Sequence, residues 1–78
     1  MHFLASYDAD NQVGTIYSPE KELEITFLRI NTVDWYPLTS FVHGQEKPLP
    51  SCFTPDTELL KALDDSIVLG RTVERELV

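Results

Sequence analysis

The chain has 78 residues, and its 13 acids against six Lys and Arg give a formal net charge of −7. A chain this short holds a single hydrophobic core, which excludes a second domain, and its acidity repels nucleic acid and anionic lipid while attracting a basic protein surface. Cys52 is the only cysteine, so no internal disulfide forms and a reducing, cytoplasmic setting is expected.

The opening Met1-His2-Phe3-Leu4-Ala5-Ser6-Tyr7-Asp8 has neither the basic start nor the long apolar run of a secretory signal. Nowhere do ~18 apolar residues run together as a membrane span requires. Residues 2–7 and 12–17 are short runs with aromatic and β-branched members, separated by Asp8-Ala9-Asp10-Asn11, and predict a β-hairpin. Phe3, Ala5 and Tyr7 share one face of the first arm, and Val13, Thr15 and Tyr17 one face of the second. Gly14 is expected to weaken or bulge that arm.

Ser18-Pro19-Glu20-Lys21 predicts a turn or a first helical turn. In residues 22–30, Leu23, Ile25 and Phe27 alternate with Glu22, Glu24 and Thr26, which favours a third strand. A helix is the alternative, because Leu23, Phe27 and Ile30 also follow i, i+4, i+7 spacing and Ser18-Pro19 can open one. Residues 31–42 carry Trp35, Tyr36, Leu38 and Phe41 around Pro37, as an irregular edge strand would. Residues 43–53, with Gly44, Pro48 and Pro50, are expected to form a loop.

Thr54-Pro55-Asp56 is a helix start, with Thr54 as cap, Pro55 at the first helical position and Asp56 complementing the dipole. Leu59, Leu63, Ile67, Gly70, Val73 and Leu77 form an apolar stripe that either runs to the C-terminus or stops near Leu69, since Gly70 is a helix terminator and residues 67–69 also suit a short strand. The expected fold is a single α+β domain: a three- or four-stranded antiparallel sheet with a C-terminal helix on one face, mainly β over 1–42, loop over 43–53 and helical over 54–78.

Catalytic and cofactor chemistry finds little foothold. His2, His43 and Cys52 lack zinc-ligand spacing. A Cys52–His43 dyad needs an exposed, acidic thiol, whereas a lone cysteine beside Phe53 reads more simply as a small hydrophobe. Asp8, Asp10 and Gln12 mimic the start of a calcium loop, but Val13 stands where the turn glycine is needed and no carboxylate occupies the twelfth position. The glycines at 14, 44 and 70 are too scattered for a phosphate loop. No catalytic, cofactor-binding or metal residue is therefore assigned.

The sequence points to a non-enzymatic protein-binding protein. If residues 20–25 are extended, Glu20, Glu22 and Glu24 project from one face at about 6 to 7 Å intervals, approximating a row of phosphates. Asp8 and Asp10 at a hairpin tip and Glu58, Asp64 and Asp65 on the helix extend that surface if they face the same way, with Tyr36 as an apolar anchor and Trp35 assigned to the core. Such a surface suits an inhibitor of a basic nucleic-acid-handling protein, such as a host-defence nuclease complex. The alternative is an accessory subunit or homodimer docking through its aromatic and aliphatic surface, including Val73 and Leu77. The terminal Glu76-Leu77-Val78 has the form of a carboxylate-capture ligand.

Overall fold

A computed structural model describes residues 1–50 and 52–77. Ser51, within the expected loop, and Val78, the end of the expected capture ligand, lie outside the described residues. In chain order the elements are β1 (His2–Asp8), β2 (Val13–Ser18), β3 (Leu23–Ile30), β4 (Asp34–Val42), β5 (Gln45–Pro48), α1 (Thr57–Leu69) and β6 (Val73–Glu76). The strands form one antiparallel sheet in the order β5-β4-β3-β2-β1-β6. Among the described residues the fold is α+β with one helix, as the pattern predicts, but the sheet has six strands rather than three or four.

The first five strands are a meander, and their turns follow from local chemistry. In the β1–β2 turn the Asp8 carboxylate accepts from the Asp10 N–H (3.0 Å) and the Asn11 side-chain amide (2.7 Å), while Gln12 takes φ 57° to bring the chain back. The β2–β3 turn spans residues 19–22 and closes likewise on a left-handed residue, Glu22 at φ 47°. Asn31 and Thr32 both have positive φ and the Val33 N–H donates to the Ile30 carbonyl, as in the I′ turns that match strand twist. His43 and Gly44, also both at positive φ, form the two-residue turn into β5. Residues 45–48 were expected to be loop. They are a strand because that turn fixes the pairing Val42↔Gln45 to Thr39↔Pro48, although all four side chains are exposed and show no apolar alternation.

The strand reading of residues 22–30 holds over Leu23–Ile30, and no helix forms there. The irregularity expected in β2 lies elsewhere. Gly14 pairs regularly with Tyr7 and Phe27, whereas the β3–β4 register shifts at Thr26/Phe27, leaving Leu38 as the additional residue. β5 covers β4 only from Thr39 to Val42, so Pro37 sits where the strand has an open edge and a missing N–H is tolerated.

The helix starts later and ends earlier than the 54–78 assignment. Asp56, not Thr54, is the N-cap: its carboxylate accepts the Glu58 N–H at 2.9 Å, and its one-carbon linker places the oxygen over the first turn. Gly70, at φ 66°, caps the other end and donates to the Ser66 and Ile67 carbonyls. The freed chain returns as β6 beside β1, with Phe3 opposite Arg75 and Ala5 opposite Val73. The buried side of α1 is Leu59, Ala62, Leu63 and Ser66; Ile67 turns outward, and residues 67–69 remain helical rather than forming a strand.

The core lies between α1 and one face of the sheet: Phe3, Ala5, Ile16, Ile25, Phe27, Leu59, Ala62, Leu63 and Val73 are buried, with Trp35, Leu49, Phe53 and Leu77 packed at its margin. Val73 is thus a core residue and Leu77 packs, partly buried, against the core, so the two do not stand out as the exposed patch considered from the sequence.

Candidate functional site

Which side chains face the helix and which face away follows from register, because directly opposed residues share a face. On β1 and β2 the pairs Ala5↔Ile16 and Tyr7↔Gly14 set odd positions against even ones. The buried set on β2 is therefore Gly14, Ile16 and Ser18, and Val13, Thr15 and Tyr17 lie on the opposite face from Phe3 and Ala5. The same parity carries Ile25 and Phe27 inward and Glu24, Thr26 and Leu28 outward.

The outward face is covered by no element among the described residues, since α1 packs on the inner face over β1, β2 and β6. Three rows cross it along the hydrogen-bonding direction. The first is Glu74–Leu4–Tyr17–Glu24–Phe41–Glu46, the second Ser6–Thr15–Thr26–Thr39, and the third Asp8–Val13–Leu28–Tyr36. Adjacent rows are about 7 Å apart, two residues of strand rise. The middle row is short hydroxyl side chains, with the Thr26 and Thr39 hydroxyls 3.3 Å apart. It forms the floor between two taller rows in which Tyr17 is 41% and Tyr36 57% exposed.

Charge is partitioned between the faces. By the same register Arg29, Lys47 and Arg75 are on the helix side, while Lys21 is in a turn, Lys61 on the helix and Arg71 beyond it. Among the described residues the outer face holds Glu24, Glu46, Glu74, Glu76, Asp8 and Asp34, and no Lys or Arg. His2 is its one basic side chain, and its imidazole bonds the Glu74 carboxylate.

The acidic residues singled out from the sequence scatter across this architecture. Glu20, Glu22 and Glu24 are not one extended row: Glu20 and Glu22 lie in the β2–β3 turn, where Glu20 accepts the His2 N–H at 3.1 Å and Glu22 bonds the His43 imidazole at 2.5 Å. Only Glu24 stands on the strand. Turn closure at Glu22 reverses the chain, which an alternating pattern alone does not reveal. Asp8 and Asp10 do sit at a hairpin tip. The Asp8 carboxyl is held below the usual aspartate range, chiefly by the Asn11 side-chain hydrogen bond.

Asp64 and Asp65 lie on the helix side and are engaged within the fold. The Asp64 Oδ1 accepts from Arg29 Nη1 (2.7 Å) and Trp35 Nε1 (3.0 Å), and Asp65 pairs with Arg75 at 3.3 Å. Arg29 also lies 4.6 Å from the centre of the Trp35 ring, whose other neighbour is Tyr7, edge-on at 5.7 Å. This cluster fastens the start of β4 to α1. Trp35 is half-buried there, as its core assignment anticipated, and Tyr36 alternates outward beside Leu28.

The residues missed from sequence are Tyr17, Phe41, Leu28 and the threonine row. A parity rule exposes them: a four-residue hairpin loop makes paired positions sum to an odd number, so an odd core set on β1 demands an even one on β2. Beside Tyr17, Glu24 and Phe41 the surface dips into an open depression of about 530 Å³ that extends to Glu22, His43 and Gly44.

Cys52 is exposed, and each histidine is bonded to a carboxylate rather than to the thiol. Among the described residues no three His, Cys, Asp or Glu side chains converge as a metal site would require. No helix among them is long and apolar enough to cross a membrane. No protein-family model, characterised protein or solved structure matches the chain.

Proposed function

We propose that this domain is a non-enzymatic protein-binding module that docks through the outer face of its sheet onto a partner with a basic surface, such as the groove of a nucleic-acid-handling protein. The observation that carries this reading is the composition of that face: aromatic, aliphatic and hydroxyl side chains, edged by acids, with no Lys or Arg. Apolar contact supplies affinity at the centre and the acids steer a cationic partner into register. The mode of contact is face-on rather than strand addition, because the strands at both edges are charged and short: Glu74-Arg75-Glu76 on β6 and Glu46-Lys47-Pro48 on β5.

The test is partner capture from the native cell with three forms of the protein: the natural chain, a Leu28→Lys/Tyr36→Lys variant, and a Lys61→Glu variant altered on the helix side. The natural chain and Lys61→Glu recover the same partner, less of it as salt rises, and the face variant recovers none while keeping its circular dichroism. Retention by the face variant, or loss only in Lys61→Glu, overturns the reading.

A further inference from the structure

We propose that Tyr17, Glu24 and Phe41 form a receptor for the guanidinium of an arginine side chain presented by the partner. This deepens, and rests on, the reading of the outer face as the docking face. The three residues are consecutive in one cross-strand row, so Tyr17 and Phe41 stand about 10 Å apart at the Cα atoms, two strand spacings, on either side of the Glu24 carboxylate. The depression of about 530 Å³ opens over this trio.

Three observations specify a cation. Glu24 is half-buried between two aromatic side chains, yet no Lys, Arg or His lies within ion-pair distance of it among the described residues. Lys21, in the adjoining turn, makes no ion pair there. The second carboxylate at the rim, Glu22, is held in place by His43 at 2.5 Å, and beside it Gly44 has open space where a side chain would stand. The depression lined by these residues is open to solvent, so a ligand can reach the Glu24 carboxylate where Tyr17 and Phe41 flank it.

The chemistry selects arginine over lysine. A guanidinium is planar, sheds water more readily than an ammonium, stacks on aromatic faces, and presents a two-pronged donor edge to one carboxylate. An ammonium satisfies the carboxylate but gains less from the walls. A neutral urea group of the same shape keeps the stacking surface and loses the charge.

The probe is a capped Gly-Arg-Gly peptide, titrated into the isotope-labelled protein and followed by amide and aromatic NMR shifts, beside peptides with lysine or citrulline in the middle position. The arginine peptide is expected to give saturable shifts centred on Tyr17, Glu24 and Phe41 with a Kd on the order of millimolar. The lysine peptide binds several-fold more weakly and the citrulline peptide does not saturate. Glu24→Gln, whose spectrum elsewhere reports an intact fold, weakens arginine binding about tenfold or more, and Phe41→Leu weakens it about threefold. Absence of saturable shifts, equal binding of citrulline, shifts centred elsewhere, or indifference to Glu24→Gln overturns the proposal. Because Leu28 and Tyr36 lie in a different row, capture by the Leu28→Lys/Tyr36→Lys variant judges the docking face separately from this slot.

Discussion

Replacing Gly14 by alanine tests whether the Trp35 cluster closes the core as described. Gly14 lies mid-strand without a positive φ, so backbone considerations alone favour Gly14→Ala by roughly 0.4–1 kcal/mol through reduced freedom of the unfolded chain. The space says otherwise. A Cβ there would sit 2.7 Å from Trp35 Cζ3 and 3.0 Å from Leu63 Cδ2, against an optimal carbon separation of about 3.5–4.0 Å. Trp35 must retreat by about 1 Å to restore that separation, and its indole is held from three directions by Asp64 at 3.0 Å, Arg29 at 4.6 Å and Tyr7 at 5.7 Å. A retreat of that size disturbs the contacts that the indole makes with Asp64, Arg29 and Tyr7. Overpacking of this kind costs about 1–3 kcal/mol, which outweighs the entropic gain. The expected result is a net destabilisation of about 1–2 kcal/mol and a fall in Tm of about 4–8 °C for each kcal/mol, read by urea and thermal unfolding with circular dichroism. In a Trp35→Leu background the same substitution loses most of its cost, giving a coupling of about 1 kcal/mol or more. A Gly14→Ala protein as stable as the natural chain, or an unchanged cost without the tryptophan, refutes the packing argument.

Thr32 adopts φ 64° in the β3–β4 turn, a conformation unfavourable for a β-branched residue, and Thr32→Gly is expected to stabilise the protein by about 1 kcal/mol; an unchanged or lower urea midpoint counts against strain there. Asp64→Ala deprives both Arg29 and Trp35 of their acceptor, so a loss of about 1–2 kcal/mol and a red-shifted tryptophan emission are expected, while partner capture persists because Asp64 is on the helix side. The hydrogen bonds that depress Asp8 below its ordinary value of 3.8 favour its charged form in the folded state. Their contribution to stability is therefore present above pH 3.8 and is lost as pH falls through the lower folded value. Asn11→Ala should return the Asp8 titration toward 3.8 in a carboxyl NMR experiment, and a titration that does not move would show that the Asn11 amide is not the cause.

The parts of the fold that the sequence announces are those governed by local chemistry. Asp8-Ala9-Asp10-Asn11 reads as a turn, Leu23-Glu24-Ile25-Thr26-Phe27 as a one-sided strand, and Gly70 as a helix stop, because each encodes its conformation within a few residues. β5 and β6 are illegible for the opposite reason. Gln45-Glu46-Lys47-Pro48 and Val73-Glu74-Arg75-Glu76 have little intrinsic strand preference and are recruited by neighbours, one through a tight turn and the other through a long-range pairing with β1. The candidate site suffers from the same dependence on distance. Glu24 and Tyr36 were recognisable as surface residues, but the grouping of Tyr17, Glu24 and Phe41 exists only across three strands. Asp64 looked like a free surface acid until the fold delivered Arg29 and Trp35 to it from β3 and β4.

The separation of charge explains how a small protein carries an uncovered, partly apolar sheet face. With one helix for six strands among the described residues, one face is buried, and on the proposed reading the other has two opposed demands: adhesion to a partner and resistance to its own copies. A second copy laid face to face sets one acidic surface against another, with no Lys or Arg on either face among the described residues to compensate. The hydroxyl floor lowers the apolar area further, and the charged edge strands discourage pairing side by side. A cationic partner meets none of these obstacles, since each acid that repels a second copy becomes an attraction for it. On the proposed reading the same residues favour a basic partner over a second copy at this face, and raising salt should weaken the first contact while relaxing the repulsion in the second.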